Sequence, residues 1–114
     1  MIAVVETDRF LEKAKYVLSS DERDALILYL AYRPDAGDVI PDTGGIRKLR
    51  WAAKGKGKRG GSRVIYYYHN LKVPLFLLSI FAKSVQGDLA PLERKSLIAE
   101  VAGLKADWKK RIRK

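Results

Sequence analysis

"IRKLRWAAKGKGKRGGSRVIYYY", Ile46 to Tyr68, is the stretch on which the fold turns. Its two ends alternate with a period of two, and its centre does not. "IRKLRW" reads as a strand with Arg47, Leu49 and Trp51 on one face and Ile46, Lys48 and Arg50 on the other. "RVIYYYH" reads as a second strand, rich in β-branched and aromatic residues. Residues 52–62 between them form a glycine-rich basic loop. From Arg47 to Arg63 there are eight cations, four glycines, one tryptophan and no acid. So much like charge in one segment is unfavourable unless solvent or an anionic partner screens it.

Working outward, "VPLFLLSIFAK" (Val73–Lys83) reads as the antiparallel partner of the second strand, with a turn at Asn70–Leu71–Lys72. Pro74 gives it an edge-like or irregular start. A last helix is expected from Pro91, with Leu97, Val101, Leu104 and Trp108 as its apolar stripe and "KKRIRK" as its cationic end. Upstream, "IAVVE" (Ile2–Glu6) reads as a strand. Thr7 is placed to cap a helix carrying Phe10, Leu11, Ala14 and Val17. Ser19 with Glu22 makes a capping box for a second helix that stops by Arg33, ahead of Pro34. Pro34–Gly45 is rich in turn residues and reads as a loop. The expected order is strand, two helices, three strands, helix, an α+β fold in one domain spanning 1–114.

Charge divides the chain. Residues 1–45 hold five cations and nine acids, whereas residues 46–114 hold eighteen cations and four acids. The total of +10 and its concentration in the second part point to a polyanion, with nucleic acid ahead of a membrane surface or an acidic protein. With no cysteine, disulfides and thiolate metal sites are excluded. The longest apolar stretch, Val73–Ala82, is too short to span a bilayer, and "MIAVVETDRF" lacks the features of a signal peptide. A cytoplasmic protein without membrane partners is expected.

The usual catalytic equipment is missing. His69 is the single histidine and reads as a turn residue. No HExxH, paired-carboxylate or Walker pattern occurs, and "GKGKRGG" lacks the spacing of a phosphate loop. The basic part has only Asp88, Glu93, Glu100 and Asp107 as carboxylates, so no metal and no cofactor is expected; the last three read as a solvated helix face. What remains is cation chemistry. Cleavage of RNA by its own 2′-hydroxyl needs a base, charge stabilisation on the phosphorane and a proton for the leaving oxygen. Arginine supplies fixed bidentate charge, and lysine among other cations exchanges a proton. Strand alternation groups Lys48 with Arg50; Arg63 opens the next strand and Lys83 ends the last, so the four border one end of the sheet. The plainer reading has these cations solvating the sheet or binding phosphate without reaction. Trp51 and the tyrosines Tyr66–Tyr68 pack a core on the simpler reading, while an exposed Tyr67 or Trp51 would stack bases.

"GDVIPDTGGIRKLRWAAKGKGKRGGSRVIYYY", then "LLSIFAKS" and a Leu/Lys/Arg-rich last helix, resembles the HigB-like branch of the RelE/ParE toxin superfamily over nearly the whole chain. The resemblance implies a small twisted antiparallel sheet with two N-terminal helices on one face and a C-terminal helix. It implies a type II toxin–antitoxin toxin, a ribosome-dependent, metal-independent endoribonuclease that cuts translated mRNA. Its implied partners are ribosome, mRNA and a cognate antitoxin, a small helix-turn-helix HigA-like protein. Onto the family's catalytic groove map Lys48, Arg50 and Arg63, with Lys83 at a basic position after the fourth strand. Arg47, Lys54, Lys56, Lys58 and Arg59 are then expected to contact ribosomal and messenger phosphates. ParE-like relatives poison DNA gyrase on the same fold, and a non-catalytic RNA-binding module is the further alternative. Two departures stand out. Asp42 replaces a frequent glycine before "TGG", and Phe81 stands where many relatives have tyrosine, with no tyrosine after Tyr68.

Overall fold

The computed structural model describes residues 1–53 and 61–112. Its elements are β1 (Val4–Glu6), α1 (Asp8–Val17), α2 (Ser20–Tyr32), β2 (Asp38–Val39), β3 (Ile46–Trp51), β4 (Ser62–Tyr67), β5 (Leu75–Ala82) and α3 (Pro91–Ile112). The five strands form one sheet in the order β1-β5-β4-β3-β2. The expected α+β fold is present, with two differences of detail. β1 runs parallel to β5, so the sheet is mixed rather than wholly antiparallel. The Pro34–Gly45 loop also contributes a short edge strand, β2, paired with β3.

Local chemistry starts the helices. Thr7 Oγ1 accepts from the Phe10 N–H at 3.4 Å and donates to the Leu77 carbonyl at 2.7 Å, tying the start of α1 to β5. The capping box at α2 is complete: Ser19 Oγ accepts from Glu22 N at 3.1 Å, and Glu22 accepts from Ser19 N at 2.8 Å. Arg33 ends that helix immediately before Pro34.

Helices cover both faces of the sheet. On one face Phe10 and Ala14 of α1 and Leu26 and Leu30 of α2 pack against Trp51, Val64, Tyr66, Leu75, Leu77 and Ile80. On the other, Leu97 and Val101 of α3 pack against Ile46, Ile65, Tyr67, Phe76, Leu78 and Phe81. β4 and β5 are therefore apolar on both sides, and their alternation is lost from the sequence. A bulge in β5 lets Leu78 and Ser79 share the α3 face: Tyr66 pairs with Leu77, but Ile65 pairs with Ser79. The same face then receives Phe81, opposite Arg63.

Of the three acids of α3, Asp107 is exposed as expected, but Glu93 and Glu100 do not join it in a solvated face. Glu93 bonds to Lys13 of α1 and accepts from Ser79 Oγ at 2.8 Å, and Glu100 accepts from Arg9 at 3.1 Å. These contacts tether α3 to α1 and β5. Among the described residues, no helix is long and apolar enough to cross a membrane.

Candidate nucleic-acid interface

β3 and β4 set the geometry. Alternation along β3 sends Lys48 and Arg50 to the face of Ile46, and the antiparallel register places Arg63 directly opposite Arg50. Beyond α3's apolar cover, this end of the face opens into a groove of about 690 Å³. Lys48, Arg50, Arg63 and Lys83 line it, together with Asp38, Asp88, Ala36, Leu49 and Gly87. The four residues grouped from sequence thus border one cavity.

Their environments differ. Arg63 is 8% exposed, with Nη1 donating to the Ser62 carbonyl at 3.1 Å. Arg50 is exposed and Lys48 half-buried. Lys48 Nζ lies 3.2 Å from Asp88 Oδ1, and Lys83 Nζ donates to the Gly87 carbonyl at 2.9 Å. The Leu89 N–H, 2.8 Å from the Asp88 carboxylate, holds that carboxyl below its ordinary value; a desolvation cost opposes it, and Lys48 and Lys83 reinforce it. Four cations with two acids leave the groove net positive, and two guanidiniums side by side can grip one phosphate from several directions.

Three expectations from sequence are revised. Arg47 lies on the other face of β3, where Nη1 donates to the carbonyls of Gly37 at 2.8 Å and Asp35 at 3.2 Å, and its guanidinium carbon sits 5.9 Å from the Tyr68 ring centre. These bonds brace the turn before β2 and turn Arg47 away from the groove. Trp51 is 8% exposed; its indole N–H donates to the Glu22 carbonyl at 3.1 Å, and its ring lies 5.2 Å from that of Tyr29. Tyr67 is 4% exposed in the α3 core, with the Lys105 ammonium 5.5 Å from its ring centre. Burial denies both rings the base stacking expected of an exposed aromatic. Lys54, Lys56, Lys58 and Arg59 lie outside the described residues.

Asp38 and Asp88 were missed as groove residues. Asp38 is the register partner of Lys48, a pairing visible only once β2 is known to exist. Asp88 follows Lys83 closely in sequence, and a short return from β5 to Pro91 must pass the strand end; that was its available signal. Phe81, 4% exposed opposite Arg63, packs as an apolar ring of the α3 core. No tyrosine or histidine lines the groove among the described residues. Nor do three His, Cys, Asp or Glu side chains come together there as a metal site would need.

This fold, a mixed five-stranded sheet with α1 and α2 on one face and α3 on the other, is similar to that of a solved structure. The chain has the RelE fold. A double arginine-to-alanine variant of the E. coli toxin RelE in its free state superposes with a TM-score of 0.57 at 17% sequence identity. The match covers 87% of this chain and 95% of that one. No family model matches the sequence. On the RelE fold of this chain, the groove lies where β3, β4 and the end of β5 meet.

Proposed function

We propose that this protein is the toxin of a type II toxin–antitoxin pair, a HigB-like, ribosome-dependent endoribonuclease that cleaves translated mRNA without a metal. The observation that carries the reading is the convergence of Lys48, Arg50, Arg63 and Lys83 on one groove of a RelE fold. In the reaction, the RNA 2′-oxygen attacks the adjacent phosphorus and gives up its proton to a base. Arg63 and Arg50 stabilise the charge that builds on the phosphorane. The bond to the 5′-oxygen then breaks, and that oxygen takes up a proton. The products are a 2′,3′-cyclic phosphate and a 5′-hydroxyl end. Lys48 and Lys83 are the proton-transfer pair, since among the described residues neither tyrosine nor histidine lines the groove. Lys54, Lys56, Lys58 and Arg59 add point-charge contacts to ribosomal and messenger phosphates, which need less fixed geometry than the reacting centre. A helix-turn-helix, HigA-like antitoxin neutralises the toxin, and both act in the cytoplasm, where ribosomes are.

Induced expression with 5′-end mapping of cellular mRNA tests the reading. New 5′ ends within translated regions are expected from the wild type. They should fall on the order of a hundredfold with a folded Arg63→Ala variant, the usual scale for losing one oxyanion-stabilising donor. Intact mRNA with damaged DNA would replace the nuclease reading with gyrase poisoning.

A further inference from the structure

The groove contains an anion of its own. Asp88, in the loop between β5 and α3, is 73% exposed at its side chain, yet its Oδ1 lies 3.2 Å from Lys48 Nζ. The Leu89 N–H donates to the same oxygen at 2.8 Å and fixes the carboxylate. Gln86 Nε2 donates to the Asp88 carbonyl at 2.8 Å, and Lys83 Nζ donates to the neighbouring Gly87 carbonyl at 2.9 Å. Both lysines of the groove are thus engaged by adjacent residues of one loop.

A carboxylate oxygen and a phosphodiester oxygen offer an ammonium the same partner. Taking the groove to be an RNA site, as proposed above, we propose that Asp88 is an affinity-setting residue: in the free protein its carboxylate holds the place at Lys48 that a backbone phosphate takes in the complex. An exposed ion pair contributes little, so the exchange is inexpensive for a ligand that also engages Arg50 and Arg63. An isolated phosphate lacks those extra contacts and gains little by displacing Asp88. The residue therefore favours an extended polyanion over small anions, a specificity set by a competing contact rather than an added one.

Asp88→Asn removes the charge and keeps an oxygen for the Leu89 amide. The probe is a fluorescein-labelled single-stranded RNA carrying 2′-O-methyl groups throughout, which cannot be cleaved, followed by anisotropy across a salt series. Asp88→Asn should bind about two- to fivefold more tightly, the scale of an exposed pair. Its log–log salt slope should steepen by roughly one phosphate contact. In a Lys48→Gln background the gain should vanish, because the competition is for that ammonium. Unchanged or weaker binding by folded Asp88→Asn overturns the assignment, as does a gain that persists undiminished without Lys48. Should the asparagine variant melt prematurely, Asp88→Ser carries the same measurement. Message that stays whole in the end-mapping experiment sinks the nuclease reading and leaves this cycle standing. A flat cycle beside intact cleavage sinks the Asp88 assignment alone.

Discussion

Arg50 and Arg63 stand directly opposite each other across the β3–β4 ladder, the first exposed and the second buried. Like charges at opposed positions of an antiparallel pair destabilise it, by the same few tenths to about 1 kcal/mol that opposite charges would contribute. A packing-driven sheet has no use for such a pair, whereas a phosphate between the two guanidiniums would turn repulsion into a shared grip. The opposed pair sits at the place where chemistry is proposed.

Arg50→Thr should therefore stabilise the free protein by about 0.5 kcal/mol while weakening RNA cleavage. Threonine suits a strand and removes the repulsion. Urea unfolding in low and high salt gives the check. The wild type should gain more from added salt than the variant, because screening relieves a repulsion the variant no longer has. A variant less stable than the wild type at low salt would show that the guanidiniums are held apart by their surroundings.

Glu93 supplies a pH-dependent tether for α3. Burial pushes its carboxyl upward, but the Lys13 and Ser79 hydrogen bonds together with the positive charges of Lys13 and Arg9 outweigh that, and the net direction is below the ordinary glutamate value of 4.5. A depressed carboxylate contributes stability that is fully present above its unfolded value and lost as pH falls through the folded one. Glu93→Gln should thus cost about 1 kcal/mol at neutral pH, and the gap to the wild type should narrow as pH falls below the ordinary glutamate value of 4.5. Denaturant midpoints on either side of that value measure it. A gap that stays constant would place the loss in packing rather than in charge.

Which parts of this were readable beforehand follows from how far each determinant reaches along the chain. The Thr7 and Ser19 caps were legible because donor and acceptor lie three residues apart. The grouping of Lys48 with Arg50 was legible because strand parity fixes it, and Arg63 joins them through its place at the start of the antiparallel neighbour. The parallel pairing of β1 with β5 was not, since it joins Val4 to Leu75 through contacts no local pattern encodes. The fate of Trp51 and Tyr67 depended on helices covering both faces, and only the assembled sheet reveals that. Asp88 reaches the groove through a loop return, and composition showed it only as one of four scattered acids.

Asp42 is a residue whose oddity in sequence has a backbone cause. Its φ is +61°, in the left-handed region, followed by Gly44 at +79° and Gly45 at +107°. Aspartate tolerates that region better than most residues, glycine better still, and a β-branched residue poorly. Asp42→Gly should leave thermal stability unchanged or slightly raised, while Asp42→Val should lower it by about 1–2 kcal/mol. Equal melting temperatures for the two variants would mean the turn relaxes out of its left-handed conformation when the residue changes.

The turn before β2 is held from the interior by the Tyr66 phenol and from outside by Arg47. Tyr66 Oη donates to the Pro34 carbonyl and accepts from the Gly37 N–H, each at 2.8 Å in the buried interior. Burial raises that phenol above its usual pKa, so it stays neutral and keeps its donor. Gly37 is required for the approach: a Cβ there would lie 2.8 Å from Tyr66 Cε1 and 2.9 Å from its oxygen. The same turn offers the carbonyls that Arg47 braces and leads into Asp38 at the groove's edge. Tyr66→Phe keeps the ring and strands two buried backbone groups, so stability should fall by about 2 kcal/mol. Gly37→Ala should fall at least as far, through the clash instead. The double variant should lose less than the sum, because removing the hydroxyl relieves part of that clash. Denaturant unfolding of the four proteins measures the coupling. Strict additivity would mean that the phenol and the glycine act independently.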